Sequence, residues 1–472
     1  MKPFLRHFEL ELDLHALHAA HPQRYPFLLE TVALGSTGNQ YDILFAFPAE
    51  TLLLDHEYEL HMVNDNGDHS HVVPGSHNDF LECFNHWWDQ QQEQTGIEHT
   101  GKKEQGIPFS GGWFVYLSYE LAQQIEPRLD LPLSQDGLPI AFATRIPAAI
   151  IRDHKNTQLI VVAEAGRKAQ FQTLCNDLEF FIPPATATPV RNIAAQQIKE
   201  DPPQDYIHSV ERIKHYIREG DVFQVNLSRL WQATLEPGIT NDDLYHTLRK
   251  NNPAPFFGLV TLGDNAIISS SPERLVRVQD NIIETRPIAG TRPRSISSIT
   301  DKANQTELLA HPKERAEHIM LIDLERNDLG RVCEPGTVDV DELMVLESYA
   351  HVHHIVSNVR GQLRADIKPG DVIRAVFPGG TITGCPKVRC MEIIAELEQT
   401  GRGAYTGSMG YINLDGSMDL NILIRTMVKR GQQLFVRAGA GIVSDSVPDK
   451  ELEETRAKAR GLLLALGIEP TP

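Results

Sequence analysis

Apolar and polar positions alternate along the chain in short runs separated by turn-forming residues. Before residue 181, YDILFAFP and LIVVAEA are rich in β-branched and aromatic residues and read as strands. IPFSGGWFVYLSYELA adds a Gly-Gly pair ahead of an aromatic run. Residues 182–204 are rich in Pro, Ala and Thr with little periodicity, and read as a linker or surface crossing. Beyond it, DYIHSVERIKHYIREGD repeats apolar residues at helical spacing and closes on glycine, which predicts a helix of about 14 residues. VFQVNLSRLWQA, FFGLVTL, AIISSS, RLVRVQD and NIIETRP follow as strands, and EIIAELEQ and KELEETRAKARGLLLAL as helices. The pattern predicts mixed α/β structure with antiparallel pairing: a region over 1–181, the crossing, and a second region over 205–465.

Composition narrows the function. At 472 residues the chain exceeds what one core usually serves. A net charge of −19 disfavours nucleic acid or an anionic membrane surface as partner, since both need clustered positive charge. No apolar run is long enough to span a bilayer, and the first residues lack a signal-peptide apolar stretch. Five cysteines without a CxxC pair fit free thiols in a reducing cytoplasm.

Several segments carry candidate chemistry. In KERAEHIMLIDLERNDLGR, Glu314 and Glu317 share one helix face, and Glu451 and Glu454 repeat that spacing with Lys458 one turn later. One such pair is usually a solvated face; two together could cradle a hard dication that keeps its waters. In VRAGAGIVSDS, Gly439 and Gly441 could bring backbone N–H groups to an anion or simply form a tight turn. Arg425 lies in the strand-like run NILIRT and needs an anion, either a ligand carboxylate or a structural partner. Tyr405, between glycines, can donate to a ligand oxygen. The run AHVHHIVSNV sends His351 and His353 to one strand face and His354 to the other, which suits one ligand-facing histidine better than zinc. ETRPIAGTRPR predicts a rigid loop lined by Arg286, Arg292 and Arg294, and FPGGTITGCPKVRC a Gly-rich turn into a helix N-terminus.

Taken in order, these segments resemble the chorismate-utilising enzymes, which include anthranilate synthase component I, aminodeoxychorismate synthase component I, and the isochorismate and salicylate synthases. DLERNDLGR, HIVSNV, FPGGTITGCPKVRCMEII and GAGIVSDS carry the resemblance over about residues 205–463, and residues 24–120 resemble the amino-terminal region of the first two members. It implies two large, mainly antiparallel sheets packed face to face with helices outside. It further implies Mg²⁺ held by Glu317 and Glu454 with Glu314 and Glu451 in support. Substrate carboxylates would be gripped by Tyr405, Arg425, Lys458, Thr383 and the backbone of Gly439, Ala440 and Gly441. His354 would face the ring carboxylate, and Glu273 of SPER would protonate the departing hydroxyl.

Two positions bear on the reaction. Water-adding members carry a lysine base where this chain has Gln224, which cannot act as a base; ammonia is then the expected nucleophile. Aminodeoxychorismate synthases often carry a nucleophilic lysine where this chain has Ala289, which anthranilate synthases share. Against that, YDILFAFP, GGWFVYLSYELA and GSMGYINLDGSMDLNILIRT resemble aminodeoxychorismate synthase, which is the expected member, with anthranilate synthase the alternative. A non-catalytic chorismate- or tryptophan-binding regulator is disfavoured, since a pure binder has no need of a general acid. FLLET resembles an element that binds tryptophan in anthranilate synthases, making Leu29, Glu30 and Thr31 a candidate tryptophan site or simply a buried strand. The amidotransferase Cys-His-Glu set is absent, so the resemblance implies a separate glutaminase subunit that supplies ammonia.

Overall fold

The computed structural model describes residues 2–33, 40–64, 68–70, 78–96, 106–181, 193, 195–295, 297–348 and 352–468. Two twelve-stranded sheets, antiparallel at each pairing, form the body. The first runs from edge strand Phe4–Phe8 through Phe27–Glu30, Phe256–Leu262, Asn265–Ser271, Thr426–Arg430 and Gln433–Ile442 to Gln224–Leu235 and Ala195–Glu200. The second runs from Ile288–Pro293 through Val352–Gln362, Arg274–Gln279, Met418–Asn421 and Ser408–Asn413 to Gly112–Leu117 and beyond.

The inner faces meet in a buried layer that includes Phe27, Phe45, Phe114, Phe142 and Ile267, with the Phe27 and Phe114 rings stacked 4.2 Å apart. Helices Phe80–Thr95, Pro312–Gly330 and Pro369–Val376 cover the outer face of the second sheet, and Leu14–Ala20, Asn241–Asn251 and Pro448–Ala465 that of the first. The expected architecture is present.

Helix Pro203–Glu219 matches the predicted one and ends on Gly220 in the left-handed region. The crossing expected over 182–204 is in part a strand. Residues 195–200 pair antiparallel with Gln224–Leu235, a contact that a local reading cannot see because its partner lies a helix away. Residues 182–192 lie outside the described set. In each sheet the strands from before the crossing form one block and those from after it another, joined where Phe27–Glu30 pairs with Phe256–Leu262 and where Gly112–Leu117 pairs with Ser408–Asn413, so the two regions share both sheets. All five cysteines are free thiols. No helix among the described residues is long and apolar enough to cross a membrane.

Candidate active site

Glu273 and Arg425 both sit where the chain passes from one sheet to the other. Glu273 joins Asn265–Ser271 of the first sheet to Arg274–Gln279 of the second, and Arg425 joins Met418–Asn421 of the second to Thr426–Arg430 of the first. The crossings are knitted together: Ile422 N–H donates to the Glu273 carbonyl and Ser270 N–H to that of Arg425, both at 3.0 Å. Arg425 is therefore not inside a strand, as its apolar neighbours suggested. It occupies the bend at φ 54°, and its Nη1 donates to the Lys458 carbonyl at 2.8 Å.

The Glu273 carboxylate is buried and accepts a 2.8 Å hydrogen bond from the Thr381 hydroxyl. Burial pushes its pKa up to about 7, against the opposing pull of Thr381, the Ile288 N–H and the Lys458 charge. Such a group holds a proton near neutrality and can release it. Glu325, on helix Pro312–Gly330, is a second buried carboxyl, also lifted to about 7, first by burial and then by the neighbouring Asp328 charge, with the Glu273 charge adding to the rise. Thr381 and Glu325 both escaped the sequence reading. Each lies in a segment that had been noticed, but only packing brings it to Glu273. Thr383 is fully buried and donates its hydroxyl to the Gly379 carbonyl at 2.9 Å, bracing the turn.

Strand alternation builds the next wall. In Gln224–Leu235, Val225 and Leu227 enter a helix-backed core together with Ala440 and Ile442 of the neighbouring strand, while Gln224 and Asn226 point the other way. Gly439 and Gly441 lie inside strand Gln433–Ile442 and not in a tight turn, and both leave space beside them. A Cβ on Gly439 would sit 2.8 Å from the Tyr405 hydroxyl and 2.9 Å from Asn226 Oδ1, and one on Gly441 would strike the Gln224 amide. Ala440 turns its side chain into the core, so only its backbone remains for a ligand. Gln224 Oε1 and Asn226 Oδ1 are buried and accept no hydrogen bond from the described residues. Burial holds the Tyr405 hydroxyl protonated, with a pKa of about 12.

Opposite, His354 Nδ1 lies 3.4 Å from the Gly290 carbonyl; burial, reinforced by the Arg425 charge, lowers its pKa to about 4, so the ring is neutral at working pH. Gly290 has φ 69°, and a Cβ there would come within 2.9 Å of Glu314 Oε2. Ala289 lies between Ile288, whose N–H reaches Glu273, and Gly290. The segment is a bulged strand paired with Val352–Gln362, not the arginine-lined loop that was expected. Its arginines enter ion pairs: Arg286 with Glu342 and Glu347, Arg292 with Glu307 and Glu314, Arg294 with Asp301. His353 faces away, buried between Ser348 and Asp301. His351 lies outside the described residues.

The paired glutamates sit on two helices, Glu314 and Glu317 on Pro312–Gly330, Glu451 and Glu454 on Pro448–Ala465. Glu454 pairs with Lys458 at 2.8 Å, and the Lys458 ammonium also donates to the Gly439 carbonyl at 3.0 Å. Arg425 links the halves electrostatically, feeling Glu454 on one side and acting on His354 on the other. Among the described residues no three of these four carboxylates come within 4.8 Å of one another; the group that does is elsewhere. An all-oxygen donor set is of the kind that suits magnesium, which usually takes only one or two protein carboxylates. The arrangement can hold an anionic ligand between Arg425, Lys458 and Tyr405, with a protonated Glu273 beside it.

Leu29, Glu30 and Thr31 lie at and beside strand Phe27–Glu30 and line a separate cavity of about 370 Å³ between the sheets, together with Tyr41, Phe256, Arg277 and Asn421. Glu30 is held there by the Tyr245 hydroxyl and by Arg249 at 3.2 Å.

Comparison with known proteins places the fold in a family. The family described as chorismate binding enzyme matches residues 31–464. Aminodeoxychorismate synthase component 1 of Bacillus subtilis is 41% identical over 397 residues, covering 83% of each chain. Anthranilate synthase component 1 of Pseudomonas putida is 37% identical over 480 residues, covering 98% of this chain and 94% of its own. The crystal structure of anthranilate synthase component I from Streptococcus pneumoniae superposes with a TM-score of 0.76 at 32% identity, covering 91% of this chain and 93% of that one. With its sheets, its crossings and the family match over nearly its whole length, the chain belongs to the chorismate-binding enzymes.

Proposed function

We propose that this chain is component I of an aminodeoxychorismate synthase, adding ammonia to chorismate to form 4-amino-4-deoxychorismate for 4-aminobenzoate and folate. The observation that carries the amination is Gln224. Its Oε1 is a buried acceptor with no hydrogen bond from the described residues, beside a second such acceptor at Asn226. Two unsatisfied acceptors call for a donor at that place, which ammonia can supply, and an amide cannot deprotonate water.

In this reading Arg425, Lys458 and Tyr405 bind the two carboxylates of chorismate, and neutral His354 lies on the ring-carboxylate side. Glu273, protonated near neutrality, gives its proton to the departing hydroxyl, and Thr381 fixes the carboxyl in position. Magnesium would be held by Glu317 and Glu454, with Glu314 and Glu451 behind them, and would offset the negative charge of the substrate carboxylate. Ammonia would come from a partner glutamine amidotransferase, or from free ammonium salts in its absence.

Anthranilate synthase is the second reading, favoured by Ala289, which leaves no side-chain nucleophile at the position beside Gly290. Chorismate, Mg²⁺ and ammonium at alkaline pH, with products separated by chromatography, decides between them. Accumulating aminodeoxychorismate supports the first reading, and fluorescent anthranilate overturns it.

A further inference from the structure

Away from the active site, helix Leu14–Ala20 and helix Asn241–Asn251 converge on an uncommon set of donors. His15 Nε2 lies 3.0 Å from Asp242 Oδ1, and His18 Nδ1 lies 3.3 Å from the same oxygen. Among the described residues, His15, His18 and Asp242 are the one group of three or more metal-ligand side chains whose donor atoms all fall within 4.8 Å of one another.

We propose that His15, His18 and Asp242 bind a zinc-class dication, separate from the chorismate site. Four features argue for it. Tetrahedral ligands at zinc bond lengths stand about 3.3 Å apart, close to the two histidine–aspartate spacings. Two imidazoles and a carboxylate favour a borderline transition metal over magnesium, which prefers oxygen. His18 is almost fully buried, yet its Nδ1 makes no hydrogen bond to the described residues, although the Asp242 carboxylate stands 3.3 Å away. Its other ring nitrogen lies 3.0 Å from the Thr261 hydroxyl, the outer-shell contact that orients a ligating histidine. Were the Nδ1 lone pair turned to Asp242 without a cation, two acceptors would be opposed in a buried place.

The Asp242 side chain is 38% exposed, against 2% for His18, so an ion can enter on the aspartate side and keep a water as its fourth ligand. Occupancy would clip together helices 227 residues apart in sequence at the His15–Asp242 contact. The same second helix carries Tyr245 and Arg249, which hold Glu30 at the inter-sheet cavity, and the Tyr245 ring packs 4.6 Å from His15.

The test uses the full chain stripped with a chelator and then equilibrated with ZnCl₂ or CoCl₂ in excess MgCl₂. One zinc per chain after gel filtration is expected, with ligand-field absorption from cobalt and a raised melting temperature. His18→Ala and the more exposed Asp242→Asn should each weaken zinc binding by about tenfold or more and remove the cobalt bands. Asp242→Asn keeps the test valid if the buried variant fails to fold. Zinc retained equally by wild type and both variants, or no zinc retained by the wild type, overturns the proposal.

Discussion

Thr381 donates its hydroxyl to Oε1 of Glu273 at 2.8 Å, so a threonine from a Gly-rich turn holds the buried carboxyl at the crossing between sheets. A donor of this kind favours the charged form of its partner. Thr381→Val should therefore raise the Glu273 pKa further and move the alkaline limb of the kcat–pH profile upward. The lost hydrogen bond to a charged or nearly charged group, worth about 1.5–3 kcal/mol, should lower kcat by about tenfold or more. A profile that keeps its position would show that Thr381 does not act on Glu273.

Glu273→Gln separates catalysis from stability. Removing a general acid should lower turnover by about 10²–10⁴-fold. The folded-state pKa of Glu273, about 7, lies above the ordinary carboxyl value, so the folded chain binds this proton more tightly than the unfolded one. The stability this provides is complete at acid pH and is lost as pH rises through about 7. The variant should thus gain about 1–3 kcal/mol relative to wild type at pH 8, and much less at pH 4, in denaturant titrations. Equal differences at both pH values would contradict the burial of this group.

Glu454 is about half exposed and pairs with Lys458 on its own helix. Glu454→Gln should cost less than about 1 kcal/mol of stability, as surface pairs do, while abolishing Mg²⁺-dependent turnover. Full activity in that variant would refute the metal assignment.

Gln224→Lys places an amine where two buried acceptors stand. It should suppress amination and, if the lysine deprotonates, permit water to add to chorismate instead. Incubation in ¹⁸O-labelled water reads this directly. Undiminished ammonia use by the variant would remove Gln224 from the reaction.

Much of this site can be read along the chain, and the remainder cannot for identifiable reasons. Strand alternation separates Val225 and Leu227 from Gln224 and Asn226, and helical spacing groups Glu314 with Glu317 and Glu451 with Glu454, because both are local periodicities. Arg425 reads as a strand residue because its neighbours are apolar, but they are apolar in order to cross between sheets. Arg286, Arg292 and Arg294 look like a basic loop until their acidic partners, up to 61 residues away, are brought to them. The strand at 195–200 is recognisable only from its pairing partner. The His15, His18 and Asp242 group is invisible in one dimension for the same reason.

On the proposed function, this chain joins ammonia to chorismate. Purified protein incubated with chorismate, MgCl₂ and ¹⁵N-ammonium at alkaline pH should yield, by mass spectrometry, a single-nitrogen product carrying the label. Unconsumed chorismate, or a hydroxylated product bearing solvent oxygen and no nitrogen, would contradict it.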